Sequence, residues 1–347
     1  MIHLLRVSHA NEFELQNYAP IAKELDISVI TSHHPLTSIS LPHIPLWSPT
    51  DLPHFPFRRQ LLNRLIGGEQ WLLGLEKYLI SKRHHELIHD VIHTAETYTP
   101  YTHQAVRLRR KGIVKKLVCT CWETIPGNNE KFARLRKWKQ EAYKYVDLFH
   151  TPTERAKQTL ITEGVDPHKI IVIPYGVDLT KFHPSDLQGQ SLKVKKKPVV
   201  LLVARPVYEK GIDIFHQVSD ELSSIADFRL VSGAKYQQMP RIYQSADLFF
   251  LPSRTTSTWE EQYGMALVEA MACGLPIVTT STGAIPEVIG DAGITYPVCD
   301  MDKMVKTTKD LLNNQAKLKY YSALSLARAT RLYDSRKVAL QLAKLYC

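Results

Sequence analysis

The sequence predicts an α/β protein built from two successive parallel sheets, each covered by helices on both faces. Three observations lead there. Apolar runs of strand length alternate with longer helical stretches, this alternation occurs twice with a break near Gly176, and in the second half a glycine-led turn opens a short apolar helix. A chain of 347 residues with 44% hydrophobic content can bury two cores of ordinary domain size.

The first group of strands is read at Ile2–Val7, Ile27–Thr31, Leu117–Thr120 and Ile170–Ile173, and the second at Val199–Ala204, Phe228–Ser232, Leu248–Leu251 and Ile277–Thr280. Each is a run of β-branched and large apolar residues bounded by polar or glycine-containing turns. Lys303 to Arg328 reads as helices with lysines dispersed among leucines, and a last helix is read around Ser335 to Leu345. Asp300-Met301-Asp302 precedes a helix and suits an N-cap better than a metal site. The domains are expected at 1–175 and 185–330, with 331–347 as a C-terminal helix.

Composition narrows the function. The most apolar stretch, Val199 to Ala204, is of strand length, far short of the roughly 20 residues a spanning helix needs. Met1 to Val7 reads as a strand without the regions of a signal peptide, which makes a cytoplasmic location the expectation. Cys119, Cys121, Cys273, Cys299 and Cys347 show no paired C-x-x-C spacing and read as small core residues. The formal charge of +10 is concentrated in the first half, at Arg58-Arg59, Lys82-Arg83, Arg107 to Lys116 and Lys131 to Lys144, while Lys193 to Lys197 reads as a charged loop between the domains. No nucleic-acid motif accompanies this charge, and an anionic membrane surface suits it better. Pro53 to Ile66 mixes aromatics, leucines and arginines, a pattern shared by a helix packed on the core and by a face that docks on a membrane.

Residues 259–287 carry the chemistry. Glu261 and Glu269 flank the turn Tyr263-Gly264-Met265-Ala266, and Leu267, Val268, Ala270, Met271 and Ala272 form a buried helix closed by Gly274 and Pro276. The backbone N–H groups of Gly264, Met265, Ala266 and Leu267 make a candidate anion site, since a helix start offers unpaired donors and roughly half a positive charge. A diphosphate at the helix mouth, hydroxyls toward Glu269 and a second polyol toward Glu261 describe a nucleotide sugar.

The whole stretch resembles the E-x7-E signature of retaining GT-B glycosyltransferases of family 4, the group 1 type. Pro174 to Pro184 resembles that family's interdomain hinge, Val203 to Asp213 its Arg-x4-Lys-Gly phosphate motif through Arg205, Lys210 and Gly211, and Ala246 to Ser253 the strand before the carboxylates. The resemblance implies two Rossmann-like domains facing across a cleft, with the C-terminal helix returning to the first. It also implies a retaining hexosyltransferase (EC 2.4) that moves a sugar from a UDP- or GDP-linked donor to a glycan, lipid-linked or small-molecule acceptor. No metal or other cofactor is implied. Its site would use Arg205 and Lys210 on the diphosphate, Glu269 on the ribose and Glu261 on the donor sugar, with peripheral contact at the inner membrane face. The chain departs from the family in its first half, where Ser8 to Leu15 lacks the glycine pair and Ala95 stands in place of a histidine. Either His93 or Glu96 then takes up hydrogen bonding to the sugar, or the role is absent, and the run from Phe228 to Asp247 is short by about one βα unit against the family pattern, which implies a trimmed second domain. A sugar-phosphate synthase or epimerase, or a non-catalytic binding protein, would fit the same scaffold.

Overall fold

The computed structural model describes residues 1–81, 89–185, 197–298 and 300–347. Lys82-Arg83, most of the Lys193–Lys197 loop and Cys299 lie outside the described residues. The chain forms two compact units, Met1–Ile173 with Ala339–Cys347, and Pro174–Val338.

The first unit carries seven parallel strands: β1 (Ile2–Val7), β2 (Ile27–Thr31), β3 (His43–Pro45), β4 (His89–Ala95), β5 (Val114–Thr120), β6 (Leu148–Thr151) and β7 (Ile170–Val172). They lie in the order β3-β2-β1-β4-β5-β6-β7. The direction in which successive strands are added reverses between β1 and β4, which pair through Leu4 and His93, and this is the doubly wound arrangement. Leu5, Val7, Ile92, Leu117, Cys119 and Phe149 lie in its core. All six residues of β1 are buried, as expected where helices cover both faces.

Among the strands beyond the sequence reading, β6 was hidden by its composition. His150 and Thr151 are polar yet buried, and an ordered hydrogen-bond chain explains the histidine. His150 Nε2 lies 2.7 Å from the Ile173 carbonyl, which only accepts, so Nε2 donates. Nδ1 then accepts from the Thr120 hydroxyl at 3.0 Å, Thr120 accepts from His93 Nε2 at 2.8 Å, and His93 Nδ1 accepts from the Tyr346 hydroxyl at 2.7 Å. Burial first, then the Arg6 charge, drives the His93 pKa well below the ordinary value, so the chain is neutral throughout.

The second unit holds β8 (Val199–Val203), β9 (Asp227–Val231), β10 (Leu248–Leu251), β11 (Ile277–Thr280) and β12 (Gly293–Tyr296) in the order β12-β11-β10-β8-β9. All of these pairings are parallel. Its reversal falls between β8 and β10. Every side chain of β10 and β11 is buried, and each Leu or Phe so placed contributes about 1.5–3 kcal/mol of apolar transfer.

Local expectations are partly revised. Asp300 is the N-cap of the helix Met301–Asn313, but its carboxylate takes Lys303 Nζ at 2.6 Å rather than a helix amide. Cys119, Cys121 and Cys273 are buried thiols, whereas Cys347 is exposed. The helix Arg58–Ile66 buries none of its residues, so it is not a helix packed on the core. Among the described residues no helix is long and apolar enough to cross a membrane.

Candidate functional site

In an open parallel sheet, ligands bind beyond the carboxyl ends of the strands where the winding reverses. In the second unit those ends belong to β8 and β10, and the loops that follow them carry Arg205 and Lys210, and Ser253 and Glu261. The fold brings the two loops together. Lys210 Nζ donates to Glu261 Oε2 at 2.6 Å, and Ser253 Oγ donates to the same oxygen at 3.1 Å. Lys210 also lies 4.9 Å from the ring centroid of Trp259, a cation–π contact. Arg205 is exposed and takes part in no ion pair among the described residues.

Two glycines permit this closeness. Gly211 has φ +65°, and a Cβ there would stand 2.0 Å from the Pro252 carbonyl oxygen, so only glycine lets the Lys210 loop lie on the strand end. Gly283, at φ +55°, would place a Cβ 2.1 Å from the Glu261 carbonyl oxygen. That carbonyl accepts from Ala284 N–H at 2.8 Å, which pins the backbone of Glu261 to the turn after β11.

The helix Met265–Ala272 begins at Gly264, a left-handed N-cap without a side-chain cap. The Leu267 N–H is already taken by the Gly264 carbonyl at 2.8 Å, so the anion site narrows to the amides of Gly264, Met265 and Ala266. Glu269, one turn inside, is buried, and Tyr243 Oη donates to its Oε2 at 2.7 Å. Burial raises its pKa to about 7 against the opposing hydrogen bonds of Tyr243 and Tyr236. Neither tyrosine was singled out in the sequence, because both lie in a connection without a motif. Ser253 and Trp259 sat inside quoted stretches, with nothing in the spacing to assign them a partner.

The first unit presents a second set of groups at its own reversal. Val7 and Glu96, at or just beyond the carboxyl ends of β1 and β4, have φ +47° and +61°, uncommon for residues with a side chain and sharply so for β-branched valine. The left-handed turn that glycine would take after β1 is thus carried by Val7. Glu96 Oε1 accepts from Trp122 N–H at 2.8 Å. Burial, reinforced by Glu123 and Glu163, still raises its pKa to about 8, so it holds a proton at neutral pH. His93 is turned inward, with both ring nitrogens committed to Tyr346 and Thr120.

Comparison with known proteins places these residues in a family. The glycosyl transferases group 1 profile matches residues 220–325, which include Glu261 and Glu269, and the glycosyltransferase family 4 profile matches residues 40–181, which include His93 and Glu96. Arg205 and Lys210 fall in the interval between the two matches. The N,N'-diacetylbacillosaminyl-diphospho-undecaprenol alpha-1,3-N-acetylgalactosaminyltransferase of Campylobacter jejuni is 27% identical over 236 residues, 59% of this chain and 61% of that protein. A phosphatidylinositol N-acetylglucosaminyltransferase subunit of Arabidopsis thaliana is 25% identical over 283 residues, 70% of this chain and 61% of that protein. The match thus spans about three fifths of each relative's length. Anabaena HepE, solved with UDP and glucose, superposes with a TM-score of 0.73 at 17% identity, covering 99% of this chain and 98% of its own. The sucrose-phosphate synthase of Thermosynechococcus elongatus gives 0.74 at 16% identity over the same shares. With family profiles matching both halves, and with the two parallel α/β sheets of the GT-B fold, the chain belongs to the group 1 glycosyl transferases of glycosyltransferase family 4.

Proposed function

We propose that the protein transfers a sugar from a nucleotide-diphospho-sugar to an acceptor with retention of anomeric configuration. The observation that carries this is the Lys210–Glu261 pair, which joins the loops after β8 and β10 at the reversal of the sheet. In the chemistry, the bond from the anomeric carbon to the diphosphate breaks with its electron pair moving to phosphate oxygen. The acceptor oxygen bonds to that carbon from the same face, and its proton leaves with the diphosphate. Stabilising the departing charge is the main demand, and preorganised donors meet it best. Arg205, Lys210 and the amides of Gly264, Met265 and Ala266 supply them. On donor entry Lys210 exchanges Glu261 for phosphate, which frees the carboxylate to accept from sugar hydroxyls. Glu269 accepts from the ribose, and protonated Glu96 donates a hydrogen bond toward the sugar.

The acceptor is a glycan or lipid-linked saccharide reached at an anionic membrane face. In support, the two relatives named above carry a diphospho-undecaprenol and a phosphatidylinositol in their names. The exposed helix Arg58–Ile66 combines Arg58, Arg59 and Arg64 with outward Leu61 and Leu65.

Thermal melting with UDP, GDP and ADP tests the donor assignment. One nucleotide should raise the melting temperature, and the rise should shrink in Arg205→Ala and in Lys210→Ala. No rise with any of the three would remove the donor site.

A further inference from the structure

The first unit contains a cavity of about 690 Å³ beside the helix Arg58–Ile66, lined by Leu65, Ile66, Trp71, Leu73, Trp138 and, at its rim, Arg134 and Lys137. That size lies within the roughly 300–1,000 Å³ of small-molecule sites. None of the residues assigned to donor or sugar lines it. We infer that it holds one anionic phospholipid, with its chain against the tryptophans and leucines and its phosphate between Arg134 and Lys137. The inference deepens the membrane-docking reading above and depends on it.

The walls are built rather than incidental. Trp138 is stacked on His103 at 4.6 Å between ring centroids, and Trp71 meets Trp138 edge-on at 5.7 Å. The helix end is seated on this aromatic floor, since a Cβ at Gly67 would stand 2.5 Å from the Trp138 ring. Arg134 donates to the Leu65 carbonyl at 2.9 Å, which fixes its guanidinium stem at the rim while further N–H groups remain for a phosphate. Glu141 also lines the cavity, where it lies 3.4 Å from His103, so the rim keeps a net positive charge of one from its two cations.

The rim opens onto apolar surface. Nine of the fifteen large hydrophobic residues exposed among the described residues fall between Trp47 and Ile80. Phe57 is the extreme case, 76% exposed and held at φ +61° at the start of the helix, a strained backbone for a bulky side chain that lies mostly in solvent. Exposed apolar residues interleaved with Arg59 and Arg64 complement an anionic lipid surface, and the cavity continues that surface inward.

The test uses the full chain with monomeric dihexanoylphosphatidylglycerol, dihexanoylphosphatidylcholine and inorganic phosphate, read by tryptophan fluorescence. Pelleting with mixed phosphatidylcholine–phosphatidylglycerol vesicles is run in parallel. Saturable binding of the phosphatidylglycerol is expected, with weak response to the choline lipid and none to phosphate. Arg134→Ala with Lys137→Ala should weaken that binding roughly thirtyfold, the factor for two cations at a lipid surface. Both residues are exposed, and the melting temperature of the double variant reports that it has folded. Leu65→Gln provides a second variant, which should lower binding of both lipids. Equal response to the two lipids, response to phosphate alone, or unchanged binding in the double variant would overturn the assignment. Vesicle pelleting without any response to monomeric lipid would overturn the cavity site and leave docking by the helix face. Melting with UDP, GDP and ADP is recorded alongside, so that failure of the lipid site and failure of the donor reading register separately.

Discussion

Replacing Glu269 by glutamine gives a sharp test, because in the proposed site one buried carboxyl affects both stability and nucleotide binding. Its pKa rises from the ordinary 4.5 to about 7, with burial as the leading cause. Below pH 4.5 the carboxyl is protonated in both the folded and unfolded states. As pH rises from 4.5 to 7 the unfolded chain releases the proton and the folded one keeps it, so stability falls across this window and levels off above it. Carrying the pKa from 4.5 to about 7 corresponds to roughly 3 kcal/mol. For a unit of the size of Pro174–Val338, that is roughly 6–12 °C in melting temperature. Glu269→Gln keeps a neutral acceptor for Tyr243 and lacks the limb. Calorimetry from pH 4.5 to 8.5 should therefore show the variant matching the parent at the acid end and exceeding it above pH 7. In the same window the nucleotide that raises the melting temperature should bind the parent up to about tenfold more weakly for each unit below pH 7, because a protonated carboxyl accepts poorly from ribose hydroxyls. The variant should bind weakly at every pH. Tyr243→Phe, which removes a hydrogen bond that favours the ionised form, should move the binding limb to higher pH. Parallel melting curves for parent and Glu269→Gln would refute the reasoning.

Three further outcomes are expected. Transfer assayed against pH should decline above about pH 8 as Glu96 loses its proton, and Glu96→Gln should remove that alkaline limb; an unchanged limb would take Glu96 out of the reaction. Gly283→Ala should cost at least the roughly 1–3 kcal/mol of a left-handed backbone and should depress transfer by displacing Glu261, so wild-type melting and transfer together would count against the role of the turn. Tyr346→Phe leaves His93 Nδ1 buried without a donor and should destabilise the first unit by about 1–3 kcal/mol in chemical denaturation while nucleotide binding persists.

Much of the fold was legible because parallel strands covered on both faces are continuous apolar runs. β1, β2 and β10 stand where those runs predicted. β3 and β12 are short strands at the ends of their sheets, and β6 is half polar, so periodicity had little to register. The helix Met265–Ala272 was legible from its glycine start and apolar body. The partners of its buried carboxyl were not, since Tyr243 and Tyr236 reach Glu269 from a segment with no motif.

By itself the sequence determined the two α/β halves and the identities of Arg205, Lys210, Glu261 and Glu269, because local propensity and motif spacing are properties of neighbouring residues. Only the tertiary structure decided that Lys210 and Ser253 share one oxygen of Glu261, that His93 faces inward to Tyr346, and that Arg58–Ile66 lies on the surface with its leucines exposed. Those outcomes depend on which distant segments meet and on whether a buried polar atom finds a partner there. Contacts made across 51 or 253 residues of chain, as for Lys210–Glu261 and His93–Tyr346, leave no periodic trace in the sequence.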